Sequence, residues 1–259
     1  DKSRWLIQEH DAETVKLLSE SLRIKPLCAK LLINRDYTDV SSARSFIEKS
    51  DAFLYDPYLL EDMRKATARI RSAMAHDEKI TIYGDYDVDG ITSVSILYMY
   101  LKDRGVDVDY YIPTRESEGY GLNIGAFHTI REGGTTLVIT VDTGITAIDA
   151  IAYAKTIGLD VVVTDHHQCR PEIPDCEAVV NPRRPDCKYP FKELSGVGVV
   201  FKLLCALEMD ILNFGEYNIF TVKDMCKRYI DLVTIGTIAD VMPIHEENRI
   251  IVSYGLRMI

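Results

Sequence analysis

The stretch Ile80-Thr81-Ile82-Tyr83, followed by Gly84-Asp85-Tyr86-Asp87-Val88-Asp89-Gly90, decides the fold. Its first four residues, rich in β-branched and aromatic side chains, read as a strand. The acidic run between two glycines reads as the loop that leaves it, and a helical pattern follows at 91–103. Strand, loop and helix in that order begin a βαβ unit. Working outward, the alternation repeats, with strands expected at 108–112, 137–141, 161–164 and 178–180 and helices at 123–132, 145–157, 198–212 and 223–238. Leu137-Val138-Ile139 and Val161-Val162-Val163 are apolar without alternation, as parallel strands covered on both faces require. The expected fold is α/β, a Rossmann-like, mostly parallel sheet of about five strands flanked by helices.

Upstream the pattern is helical. Residues 12–22 place Val15, Leu17, Leu18 and Leu22 at helical spacing, and residues 26–33 give a second apolar face. Ser41 or Ser42 is the expected cap of a helix through Ala43, Phe46 and Ile47. Asp56-Pro57 marks a turn, and a helix with Met63, Ala66 and Ile70 inward leads into the first strand. The change of pattern divides the chain into an N-terminal helical region, 1–75, packed on a core, and a catalytic domain, 76–259. Residues 248–259 look helical and end without a glycine cap or polar tail, as a fragment of a longer protein would.

Composition narrows the class. With 259 residues, 47% of them apolar, the chain can bury a sizeable core, which excludes disorder. The net charge of −10 argues against a broad basic face for nucleic acid. Uncharged stretches reach only about a dozen residues, short of the ~20 that span a membrane. The sequence starts at Asp1 with no basic-then-apolar leader. Six irregularly spaced cysteines with no C-x-x-C pair argue against a disulfide framework and for a reducing, cytoplasmic setting. Cys169, Cys176 and Cys187, downstream of two histidines, leave structural zinc as an alternative. Neither a G-x-x-x-x-G-K-[S/T] loop nor a G-x-S-x-G elbow is present.

Four clusters carry candidate chemistry: Asp85, Asp87 and Asp89; Asp142 with Gly144; Asp165-His166-His167; and Asp240 at the end of a helical stretch. Taken singly, each has a bland reading. Aspartates at strand ends form turns or caps, and paired histidines are often fillers. Asp85, Asp87, Asp89 and Gly90 also match positions of a calcium loop, but Ile96 stands where a bidentate Glu is needed and a strand precedes. Three of the clusters follow predicted strands, however, and open α/β sheets bind ligands outside the carboxyl ends of their strands. Carboxylates mixed with imidazole suit Mn²⁺ or Mg²⁺ better than zinc. Several carboxylates can hold two such ions about 3.5–4 Å apart, an arrangement that drives in-line attack of water on a phosphate. Metal-assisted phosphoester hydrolysis is the chemistry these residues predict.

The order Asp85/Asp87, Asp142, Asp165-His166-His167, Asp240 resembles the DHH phosphoesterase superfamily. Closer likeness to its RecJ branch, single-strand-specific DNA exonucleases, rests on residues 84–90, 118–123, 181–185, 194–199 and 239–243, and on 31–35 in the helical region. The resemblance implies that Asp85, Asp87, Asp142, His166 and Asp240 are the main metal ligands, Asp142 bridging two Mn²⁺ or Mg²⁺ ions. It places Asp89, Asp165 and His167 beside them, with His167 also in the catalytic set. The implied activity is 5′→3′ degradation of single-stranded DNA to mononucleotides in repair and recombination. The implied partners are single-stranded DNA, a single-strand-binding protein and a helicase, with no membrane.

Arg115 can fork a phosphate, Tyr120 can stack on a base, and the amides around Ser195 and Gly196 can meet a phosphate. A solvated arginine, a packed tyrosine and close helix packing are the plain counterparts. Two alternatives to the exonuclease reading are a phosphodiesterase for short oligonucleotides or cyclic dinucleotides and a non-catalytic replication scaffold. One departure from the wider superfamily is Thr81, where its small-molecule phosphodiesterases place a histidine. A second is length: the branch's later substrate-binding and oligonucleotide-binding domains do not fit after Asp240. Residues 1–259 alone are therefore expected to bind metal yet digest DNA weakly or not at all.

Overall fold

The computed structural model describes residues 8–48, 54–114 and 121–259. The chain divides into two compact units, Asp1–Phe53 and Leu54–Ile259. In the smaller unit, α1 (Ala12–Leu22), α2 (Pro26–Ile33) and α3 (Val40–Glu48) close around Val15, Leu18, Ala29, Leu32 and Ala43. Pro26 opens α2, where its missing N–H costs nothing. The start of α3 differs from expectation: Asp39, not Ser41 or Ser42, holds it, its Oδ1 accepting from the N–H of both serines at 2.9 Å. A side chain one turn earlier is the one that reaches those unpaired amides.

The larger unit carries α4 (Met63–Ala75), β1 (Ile80–Gly84), α5 (Val88–Lys102), β2 (Val108–Tyr111), α6 (Ile124–Glu132), β3 (Leu137–Val141) and α7 (Ile148–Thr156). After these come β4 (Asp160–Thr164), β5 (Ala178–Val180), α8 (Gly196–Ile211), α9 (Ile219–Ala239) and α10 (Glu246–Gly255). Because α4 packs on α8 and β5, it groups with the sheet and not with the amino-terminal helices. All five strands run parallel in the order β2-β1-β3-β4-β5.

Alternation along the strands sends Tyr83, Val138, Val161, Val163 and Val179 to one face, against Phe127 and Ile130 of α6 and Ile151 and Ala154 of α7. Gly84 and Val141 lie on the other face, against Val94 of α5. There α8 and α9 pack on α5, and α10 packs on α9. From β1 the chain turns outward to β2 and then back to β3, so the strand order reverses between β1 and β3. A crevice opens at such a reversal, outside the strands' carboxyl ends. Among the described residues no helix is long and apolar enough to cross a membrane.

Candidate metal centre

Asp85 leaves β1 with a buried carboxylate whose Oδ1 accepts from the Tyr86 N–H at 2.6 Å. Asp87 caps α5 by accepting from the Gly90 N–H at 2.9 Å, so the helix starts at Val88, inside the acidic run. A Cβ on Gly90 would lie 2.7 Å from the Asp85 carbonyl carbon and 2.8 Å from its Cα. Glycine thus lets the first turn of α5 press against that backbone, a packing reason for a residue that sequence matches to a calcium loop.

Asp89, one turn into α5, is buried and faces the amino end of α8. Its Oδ2 accepts from the Gly196 N–H at 2.6 Å and its Oδ1 from the Val197 N–H at 2.9 Å. Ser195 caps the same helix, accepting from the Gly198 N–H at 3.1 Å, and its Oγ lies 2.9 Å from Thr237 Oγ1 on α9. Ser195 and Gly196 were candidates for meeting a phosphate, but their groups are buried and directed at Asp89 and Thr237, which gives them the packing role.

Asp142 ends β3 in a left-handed turn, φ +59°, a conformation aspartate tolerates. After β4, the wholly buried Asp165 collects four donors: the N–H groups of Ile145, His166 and His167 at 2.9, 2.7 and 3.0 Å, and His167 Nδ1 at 2.8 Å. The last bond places a proton on His167 Nδ1. Asp240 caps the carboxyl end of α9.

These elements converge on His166. Its Nε2 lies 3.1 Å from Asp142 Oδ1, 3.6 Å from Asp240 Oδ2 and 3.8 Å from Asp89 Oδ2. Neither ring nitrogen of His166 nor Asp142 Oδ1 makes a hydrogen bond, though all three are buried. Among the described residues, two triplets have the spacing to hold an ion, Asp142 with His166 and His167, and Asp89 with His166 and Asp240.

The electrostatics are those of crowded anions. Burial, then the neighbouring Asp89, Asp87 and Asp165, pushes Asp142 well above the carboxylate range. Burial raises Asp89 to about 6 against the pull of the Val197 amide and His166. Burial likewise lowers His166 and favours the neutral ring that ligates metals. His167 is raised to about 9, chiefly by its bond to Asp165. Burial opposes ionisation of Asp165, but the bonds from His167 and the backbone hold it below the ordinary range. A divalent ion would offset this repulsion and occupy the unbonded imidazole, so the donor set fits Mn²⁺ or Mg²⁺.

Asp142, His166, His167 and Asp240 are therefore brought together. Asp89, expected beside the ligands, lies inside a triplet; Asp85 and Asp87 lie in neither, although the Asp87 charge reaches Asp142. Arg115 and Tyr120 fall outside the described residues. Between β5 and α8, Arg183 pairs with Glu193 at 2.7 Å, and Arg184 with Asp62 at 2.6 Å and Asp186 at 2.7 Å. No cysteine enters either triplet, so the thiol cluster offers no zinc site among the described residues. Thr81 sits in mid-strand, bonded to Thr135 at 2.7 Å. Sequence reading missed Thr237, Glu247 and Asn248, buried polar residues that brace the segments around the site.

Fold and site together define a phosphoesterase-like α/β domain, and residues 79–237 match the model of the DHH family, N-terminal domain: the chain belongs to the DHH family. It is 49% identical, over 98% of its length, to the single-stranded-DNA-specific exonuclease RecJ of Bacillus subtilis (strain 168), of which it spans 31%. A crystal structure of exonuclease RecJ bound to manganese superposes with a TM-score of 0.66 at 34% identity, covering 79% of this chain and 49% of that one. RecJ from Thermus thermophilus in complex with Mn²⁺ superposes with a TM-score of 0.75 at 28% identity, covering 97% and 34%. The chain thus spans about a third of the length of the Bacillus relative.

Proposed function

We propose that this chain is the catalytic core of a metal-dependent 5′→3′ exonuclease that releases mononucleotides from single-stranded DNA in repair and recombination, in a cytoplasmic setting. The observation that carries the reading is His166, buried, unbonded at both nitrogens, and ringed by Asp89, Asp142 and Asp240. Asp85, Asp87, Asp142, His166 and Asp240 would hold the ions, with Asp89 and His167, which fall within the two triplets, beside them. Bound there, two Mn²⁺ or Mg²⁺ ions supply a nucleophile at neutral pH and neutralise the charge of the phosphate.

The protein's own groups do the rest. Asp165 fixes the His167 ring through Nδ1, beside Asp142 and His166. The amides of α8 keep the Asp89 carboxylate from turning away. Single-stranded DNA is the proposed substrate, with a single-strand-binding protein and a helicase as partners. The names of the relatives support this reading.

Calorimetric titration with Mn²⁺ tests it. Saturable binding that Asp142→Ala abolishes is expected, and any digestion of a 5′-phosphorylated strand should start at the 5′ end and stop on chelation. No Mn²⁺ binding, 3′-first digestion, or faster turnover of a dinucleotide than of the strand would overturn it.

A further inference from the structure

Asp240 stands on a strained turn. Val241, the next residue, has φ +56° and is 85% exposed. A helix that ends in this way, with Met242 N–H bonded to Thr237 O at 3.2 Å and Val241 N–H to Ile238 O at 3.1 Å, ordinarily places glycine at the left-handed position. A β-branched residue there persists only when its surroundings hold it.

The restraint comes from two neighbours on the first turn of α10. Asn248 is fully buried, and its Nδ2 donates both to Pro243 O at 3.1 Å, at the end of the strained turn, and to Glu193 O at 2.6 Å. Glu193 lies two residues before Ser195, which caps the helix whose amides grip Asp89. Glu247, also fully buried, accepts from Lys202 Nζ on α8 at 2.6 Å, from the Tyr189 hydroxyl at 2.5 Å and from the Tyr55 N–H at 2.8 Å. One turn of α10 thereby ties the segment that orients Asp89 to the segment that bears Asp240.

We infer that Asn248 is a positioning residue that sets the separation of Asp89 and Asp240, and with it the affinity of one of two cation positions. Glu247 anchors the turn from which Asn248 acts. Asp142 and His167 approach from β3 and β4, on segments to which Asn248 makes no hydrogen bond. The inference rests on the proposed metal centre, and its test separates the two.

Mn²⁺ binding to the full chain is followed by calorimetry for wild type, Asn248→Ala, Asn248→Ser and Arg69→Ala, each with its thermal midpoint. Arg69 pairs with Glu78 at 2.6 Å and Asp160 at 2.7 Å, at the amino ends of β1 and β4, and supplies destabilisation far from the rim. The expected result is that the Asn248 variants weaken one Mn²⁺ about tenfold or more, the size typical of lost outer contacts to a metal site, and leave the other unchanged. Arg69→Ala should lower the midpoint and change neither affinity. Failure of wild type to bind two ions would count against the metal centre itself. Equal weakening of both ions, unchanged affinities, or failure of both Asn248 variants to fold would overturn the positioning role, because Asn248 would then be a general support.

Discussion

Replacing Gly196 with alanine puts the geometry of the centre under direct strain. A Cβ there would lie 2.6 Å from Asp142 Cβ and 2.7 Å from Asp142 Cγ, with Oδ1 nearer still. Carbon atoms in contact settle at about 3.5–4.0 Å, so either Asp142 or the start of α8 must give way by about 1 Å. Asp142 is short, buried and fixed in a left-handed turn, and α8 is held through its grip on Asp89. Overpacking of this kind costs about 1–3 kcal/mol. In a domain of this size that lowers the thermal midpoint by roughly 2–12 °C.

The baseline has the opposite sign, because alanine at an unstrained glycine position is worth about 0.4–1 kcal/mol of added stability. Two readouts on Gly196→Ala follow: thermal unfolding in EDTA, and Mn²⁺ affinity by calorimetry. The expected outcome is a lower midpoint with Mn²⁺ binding about 10–100-fold weaker, as for other disturbances of groups that orient metal ligands. An equal or higher midpoint with Mn²⁺ affinity within twofold of wild type would refute the close approach of α8 to Asp142.

Asp142→Asn keeps the shape, and asparagine also tolerates the left-handed turn; removing a crowded buried charge should raise metal-free stability by on the order of 1 kcal/mol while Mn²⁺ binding is lost, and a destabilised apo variant would contradict the crowding. Arg184→Ala leaves Asp62 without its buried guanidinium, and because Lys65 still reaches Asp62 at 2.7 Å the cost should sit near 3 kcal/mol, at the low end for a broken buried pair, read by chemical denaturation. In the metal-free chain, His167 has a folded value raised to about 9 over 6.5. Its contribution to stability is therefore complete below pH 6.5 and is lost as pH rises through about 9. NMR titration of the ring should show this, and Asp165→Asn should return it towards 6.5; an unshifted ring in wild type would contradict the bond to Asp165.

The strands were legible because each is a compact apolar run bounded by turn residues; Leu137–Val141 and Ala178–Val180 lie where the pattern placed them. Helix starts were harder to read, since Asp87 and Asn218 serve as caps only once their side chains turn back on the amides of Gly90 and of Phe220 and Thr221. Within the site, the sequence revealed which acids cluster but not that the third acid of the run comes within 3.8 Å of His166. Asp85, Asp87 and Asp89 alternate in a loop that becomes a helix at Val88, and only the helix carries Asp89 round to His166. Lys202, alone in the otherwise apolar first half of α8, advertised a buried counter-charge, yet nothing in the chain marked Glu247 as its partner.

The backbone donors at the strand ends have a consequence for the order of events. The amides of Gly196 and Val197 go to Asp89, those of Tyr86 and Gly90 to Asp85 and Asp87, and those of Ile145, His166 and His167 to Asp165. Sites that cradle phosphate with main-chain N–H groups leave those groups facing the ligand; here they are committed to carboxylates. The described part of the rim is accordingly dominated by carboxylates. On the function proposed above, cations that neutralise these carboxylates would have to arrive before a nucleic-acid strand, so the local ion supply would govern substrate entry.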